Sequence, residues 1–239
     1  MYTTFIYNPL YNGLILVMDA VRSMPWIDAG MVVIIFTVIV RLILFPLSKK
    51  AARTQIMMRY AEPEIAALRE KYKDDKQTLA MQTMALYKAK KINPFSSILL
   101  LFIQLPILFA LYRIFLNSGL SVVHTDLLYS FVPVPPTIGT HFLGLFDVTK
   151  RSWFLAIVAG VSQFFQIQLS APPTKRDANG RLSQESMMHL MMRFSMPLII
   201  FIICVNISSA LAIYWVTSNL FMIGQELYLR RQIIKEKTA

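Results

Sequence analysis

Cysteine is almost missing from this 239-residue chain: Cys204 stands alone, so no internal disulfide can brace the fold. Histidine is scarce as well, and three scattered residues beside one cysteine argue against a zinc site. Acids are few, 13 against 24 lysines and arginines, and charged residues of both signs reach only 15%. Soluble domains usually carry about 25%. No phosphate-cradling glycine loop, metal motif or nucleophile constellation can be read, so no enzyme and no cofactor is expected. No internal repeat of the kind many transporters carry is visible. No basic stretch precedes the apolar residues 14–18 and no small-residue cleavage site follows, which argues against an ordinary secretory signal. A lipoprotein cleavage site is excluded for want of a nearby cysteine.

What fills the chain instead is apolar. Hydrophobic residues make up 56% and the mean hydropathy is +0.52. A soluble domain of this length cannot hide so much apolar surface, so most of it must face lipid. A spanning helix needs about 20 mostly apolar residues. Residues 29–48, 95–116 and 152–170 fit, with Arg41 inside the first and a kink expected at Pro106 in the second. The last apolar stretch is too long for one helix. It divides at Asn206-Ile-Ser-Ser209, where Asn and Ser side chains can bond turn backbone, into spans 191–206 and 209–228.

Charge then sets the orientation. The net charge of +11 would point to nucleic acid in a soluble chain, but its distribution makes it a topology signal. Eleven basic residues fall in 49–93, four in 171–193 and four in 226–239. Basic residues in short loops mark the cytoplasmic side, so the N-terminus lies outside and the C-terminus inside. The expected fold is an all-α integral membrane protein with five spans. Residues 1–27 form an interfacial helix region, with a helix over 9–23 and Trp26 as a surface anchor. Residues 28–229 are the five-span core, and 230–239 a short basic cytoplasmic tail. The outer loop 117–151, with Pro133, Pro135 and Pro136, is expected to be compact and interfacial.

Residues 49–93 are too long for a turn and too charged for lipid. Glu62-Pro63-Glu64 reads as a helix start, followed by an apolar stripe of Ile65, Leu68 and Tyr72. Asp74-Asp75 breaks and caps. Leu79 and Leu86 with Met81/Ala85 and Met84/Tyr87 supply the facing stripe, and Lys88, Lys90 and Lys91 sit at its C-terminal end. The pattern is a cytoplasmic helical hairpin: either a solvated linker touching anionic lipid, or a docking or substrate-receiving element.

Arg41 is the sharpest feature. It stands about 10 Å from the inner end of its span, where a charge costs on the order of 2.5–3.5 kcal/mol. The five spans read as free of Asp and Glu, so no intramembrane salt bridge is expected for it. Two readings remain: snorkelling toward the inner headgroups, or a water-filled cavity. Uncharged polar side chains that can line a cavity are Gln104, Ser162, Gln163, Gln166, Tyr214, Thr217, Ser218 and Asn219. Each alone is an ordinary helix–helix hydrogen bond. Met187, Met188, Met191, Met192 and Met196 cluster where the fourth span begins, as packing or as an adaptable apolar surface.

Taken in order, these residues resemble a known family. Asp28-Ala-Gly30, Val40-Arg41-Leu42 and Phe45-Pro46-Leu47-Ser48-Lys49-Lys50 are similar to the first core span of YidC-type membrane protein insertases, the Oxa superfamily. Pro63-Glu64-Ile65, Glu70-Lys71-Tyr72-Lys73 and Leu86-Tyr87-Lys88 resemble its cytoplasmic hairpin. Asn93-Pro94, Ile103-Gln104-Leu105-Pro106-Ile107 and Leu211-Ala-Ile-Tyr214-Trp215 with Ser218-Asn219 and Gln225 resemble its second and last spans. The family's Gly-Gly-Cys-x-Pro is Ser96-Ser97-Ile98-Leu99-Leu100 here, and its Pro-Ser-Gly turn is Ser208-Ser209-Ala210.

The resemblance implies a bacterial cytoplasmic (inner) membrane protein that inserts and helps fold nascent membrane proteins, without nucleotide hydrolysis. It implies a groove open to cytoplasm and lipid, with Arg41 at its heart and Gln104, Gln166 and Trp215 in its lining. The expected substrate-binding set is Arg41, Gln104, Gln163, Gln166, Tyr214, Trp215 and Thr217. Implied partners are nascent membrane proteins, the bilayer, a Sec-type translocon and, through the basic segments, the ribosome, with no nucleic-acid specificity. The rival from another class is a small-solute or anion transporter using the same arginine. A third reading is a purely structural partner in a larger complex.

Overall fold

The computed structural model describes residues 1–24, 26–93, 95–117, 123–135, 139–170 and 184–238. Its described residues are overwhelmingly helical. A π turn (Thr3–Tyr7) leads into α1 (Asn8–Val21), followed by α2 (Ala29–Ile43), α3 (Phe45–Lys71), α4 (Lys76–Ala89) and α5 (Phe95–Asn117). A small antiparallel hairpin, β1 (His141–Phe142) and β2 (Phe146–Asp147), precedes α6 (Trp153–Ser170), α7 (Gln184–Asn206) and α8 (Ser209–Thr238). Such β-branched-rich sequences as that of α2 choose helix because, away from water, the helix satisfies its backbone groups internally. By length and composition, α6 is the one described helix able to cross a bilayer by itself. The broken pair of α2 and α3 is a second candidate, and 102–115 and 190–206 are shorter apolar stretches. Lys175, Arg176 and Arg181 of the expected basic cluster lie outside the described residues.

The chain divides into two compact units, Met1–Ile43 with Gln104–Gly224, and Leu44–Ile103 with Gln225–Ala239. The core of the first is drawn from every one of its helices: Tyr11, Leu14 and Met18 of α1, Val33 and Phe36 of α2, Leu111 and Ile114 of α5, Ala156 and Ala159 of α6, Cys204 of α7, Leu211 of α8. The helix expected over 9–23 thus forms as α1, with one face sunk into this core. Buried Asn12 ties it to the loop before the hairpin: its amide donates to the Leu127 carbonyl at 2.9 Å and its oxygen accepts from the Tyr129 N–H at 2.8 Å. Asp28 does two tasks. One oxygen caps α2 through the Met31 N–H (2.9 Å), and the other holds the Leu143 N–H (2.8 Å) at the hairpin turn. That turn bends through positive φ at Leu143 and Gly144. Phe142 lies so close to Gly30 that a Cβ there would come within 2.3 Å of the ring.

Three local expectations change. The first span does not run unbroken to residue 48: the helix stops at Leu44 and restarts at Phe45, because Pro46 has no N–H to continue the ladder and suits a first turn. Pro63 does not start a helix but lies inside α3. Its flanking acids serve ion pairs instead, Glu62 with Arg69 (3.2 Å) and Glu64 with Lys90 (2.7 Å). The α7–α8 turn falls where expected, yet its side chains do not fasten it locally. Asn206 bonds back to the Ile202 carbonyl, while Ser209 gives both its N–H (2.8 Å) and hydroxyl (2.7 Å) to the Lys150 carbonyl.

In the second unit, α3 and α4 are joined by residues 72–75, and Ala61 and Ile65 of α3 pack with Ile92, just beyond α4, with Leu86 and Tyr87 of α4 against them. Met81 and Met84, expected in the facing stripe, are exposed. Asp75 caps α4, accepting from the Thr78 N–H at 2.9 Å. The C-terminal part of α8 buries Leu229 and Ile233 on Ile56 of α3, about 1.5–3 kcal/mol per side chain relative to exposure in water. Glu226 corrects the picture of spans without acids. It lies within 209–228 but is held in this unit by Arg230 (2.7 Å) and Arg59 (3.7 Å).

Candidate functional site

The site lies wholly in the first unit. Arg41 comes from the last turn of α2 and is only 8% exposed. Its Nε donates to Ser218 Oγ of α8 at 2.8 Å, Nη2 donates to the same oxygen, and Nη1 donates to Gln104 Oε1 of α5 at 3.3 Å. Gln104 is itself oriented, since its amide donates to the Tyr214 hydroxyl oxygen at 2.9 Å. The guanidinium is therefore held from two helices by neutral acceptors. Among the described residues no carboxylate pairs with it. Neutral oxygens fix its direction without cancelling its charge, which is the arrangement that leaves a cation available to an incoming anion.

Beside it lies a cavity of about 170 Å³, lined by Arg41, Gln104, Gln163, Gln166, Tyr214 and Trp215 and completed by Ser218 and Asn219. Its polar groups form chains rather than isolated pairs. Trp215 Nε1 donates to Gln163 Oε1 at 2.7 Å, Gln163 donates to Gln166 Oε1 at 3.3 Å, and Gln166 donates to Ser170 Oγ at 3.2 Å. Asn219 donates to Ser162 Oγ at 3.0 Å, and that hydroxyl donates to the Ala159 carbonyl at 2.8 Å. The side chains that α6 and α8 place here are thus positioned by one another.

The structure brings six of the seven expected site residues to this cavity and leaves out Thr217. Thr217 donates to the Ile213 carbonyl at 2.8 Å and lines a separate apolar cavity. Helix geometry explains the split. At about 100° per residue, Tyr214, Trp215, Ser218, Asn219 and Met222 share one arc of about 140°, and Thr217 falls outside it. Leu108 and Met222 also line the polar cavity and were not singled out from sequence. Both stand four residues beyond polar lining residues, Gln104 and Ser218, so i, i+4 spacing was the available signal. Of the methionine cluster, Met187, Met191, Met192 and Met196 are exposed. No group of described residues could hold a metal ion.

The chain is 34% identical to a Clostridium tetani protein named membrane protein insertase YidC, over 89% of this chain and 86% of that one. Proteins of the same name from Syntrophus aciditrophicus (30% identical) and Francisella tularensis (33%) match over 85% and 84% of this chain. The chain spans only about a third of their length, 33% and 32%. Residues 22–237 match one family throughout, and the chain belongs to the 60Kd inner membrane protein family.

Proposed function

We propose that this protein is a membrane protein insertase, the activity its relatives are named for, and that it works through the polar cavity around Arg41. The observation that carries this reading is a buried arginine held only by neutral acceptors beside a polar cavity. A membrane protein being inserted must move polar residues through a layer where each unsatisfied group costs several kcal/mol. Arg41 attracts acidic residues of the incoming tail, and Gln104, Gln163, Gln166, Tyr214 and Trp215 offer neutral partners along the way. The apolar part of the client then passes into the bilayer.

In this reading the core has five spans, α2 to the start of α3, α5, α6, α7 and the first part of α8, with the N-terminus outside. The direction of two helices supports an odd count. Arg41 bonds Ser218, while Ile34 and Val38, earlier in α2, line a cavity with Ile213 and Val216, earlier in α8. The two helices run the same way, as the first and fifth of five alternating spans must. The α3–α4 pair then lies in the cytoplasm as a docking element, with a Sec-type translocon and the ribosome as partners.

The test is protease protection of a small single-span client with an acidic N-terminal tail, added to proteoliposomes. Protection should require the protein and fall about tenfold in Arg41→Ala, the equivalent of ~1.4 kcal/mol. Protection equal to that of protein-free liposomes would sink the insertase reading. Full protection by Arg41→Ala would remove the arginine from the mechanism.

A further inference from the structure

The second cavity of the first unit, about 410 Å³, is larger than the polar one and chemically its opposite. It opens between α2, α6 and α8 and is lined by apolar residues such as Val38, Phe142, Val158, Val216 and Leu220. Its one polar side chain, Thr217, spends its hydroxyl proton on the Ile213 carbonyl. Water has nothing there to bond, and an empty space of this size would cost its lining their dispersion contacts. The occupant must be hydrocarbon. The rim residues Phe154 and Leu220 are 58% and 59% exposed, so the cavity is open at the surface that a membrane protein turns to lipid.

The head of that occupant is indicated by charge. Arg151 stands three residues before Phe154 of the cavity wall, exposed and without a partner among the described residues. Its neighbour Lys150 is taken by Asp147 at 3.2 Å. The backbone beside Arg151 is anchored, because the Lys150 carbonyl accepts twice from Ser209, one turn before Ile213 of the opposite wall. Both walls therefore begin at the place where Arg151 is held.

We propose that this cavity is a binding site for an anionic phospholipid, one acyl chain lying between α6 and α8 and the phosphate resting on Arg151. The proposal needs only a protein embedded in a bilayer and does not depend on insertase activity.

The test uses the full chain in nanodiscs of phosphatidylethanolamine doped with phosphatidylglycerol carrying a diazirine on one acyl chain. After photolysis, mass spectrometry should find adducts on Val158, Val216 and Leu220 in excess over Phe102 and Phe109, which are 68% and 60% exposed on α5. Val216→Trp should abolish that excess. Leu220→Trp, at the exposed rim where folding is not at stake, should reduce it as well. Arg151→Gln should lower cavity labelling about fivefold, in line with one lost phosphate contact. Even labelling of all these positions would overturn the proposal, as would labelling indifferent to both tryptophan variants. Cavity labelling unchanged by Arg151→Gln would overturn the assignment of the headgroup. Displacement of the label by an added apolar client helix would make the client, not lipid, the occupant.

Discussion

One helix, α8, separates two cavities that share nothing chemically. Its Tyr214, Trp215, Ser218, Asn219 and Met222 face the polar cavity, and its Ile213, Val216, Thr217, Leu220 and Phe221 face the apolar one. At about 100° per residue these sets occupy opposite arcs, with no position shared. The smaller cavity is dense in hydrogen bonds that hold a charge, and the larger has a single hydroxyl, already satisfied. A sequence that is apolar on average therefore encodes polarity by helical phase. Counting polar residues along α8 does not separate the two faces, but their angular positions do.

The largest effect is expected on the polar side. Ser218→Ala leaves Arg41 Nε and Nη2 without their acceptor and should destabilise the folded protein by ~1–3 kcal/mol. Thermal unfolding of the protein in nanodiscs measures this. A variant as stable as wild type would mean that water replaces the hydroxyl at no cost.

The apolar side is tested through its outer wall. Gly30→Ala drives a methyl into Phe142, a residue of that cavity, and should cost ~1–3 kcal/mol by overpacking. Adding Phe142→Leu should restore most of the loss. The activity proposed for the polar cavity, read by client insertion, should change less than stability does.

A finer contrast uses Gln163→Leu, which removes the acceptor of Trp215 Nε1 and should cost ~1 kcal/mol. In a background where Trp26 and Trp153 are replaced by Phe, the emission of Trp215 should shift to the blue. Thr217→Val, on the other face, should leave that emission unchanged.

The smallest effect is expected outside both cavities. The Asp75 carboxyl is held below its ordinary value by the Thr78 hydroxyl and then by the Thr78 N–H. A carboxylate depressed in the folded state stabilises above its unfolded value of 3.8, and the contribution is lost as pH falls through the folded value. Protection factors in the first turn of α4, exchange taken relative to the intrinsic rate at each pH, should fall below about pH 4 and stay level between pH 5 and 8. Asp75→Ala should show the lowered protection at every pH.

Much of the helical layout was legible because long apolar runs and their breaks are one-dimensional signals. The break at residues 207–208 and the helices ending near 116, 170 and 206 follow from them. Pro46 and Pro63 show the limit. Both are prolines next to charged or polar stretches, yet one begins a helix and the other lies inside one. The acids on either side of Pro63 pair with Arg69 of the same helix and with Lys90 past the end of α4, contacts that the local sequence around the proline does not announce. The turn at Ser209 teaches the same lesson, since its anchor is the carbonyl of Lys150, 59 residues away.

Composition, run length and charge placement need no third dimension, so the apolar helical character of the chain and the arginine inside its first long apolar run were already readable in one dimension. That Arg41 rests on Ser218 and Gln104, and that Thr217 belongs to a different cavity, needed the packed helices. Only the fold, too, gave Glu226 to Arg59 and Arg230. The reason is physical: a side chain's partner is set by the azimuth and depth at which helices cross, and those depend on the packing of residues far apart in sequence.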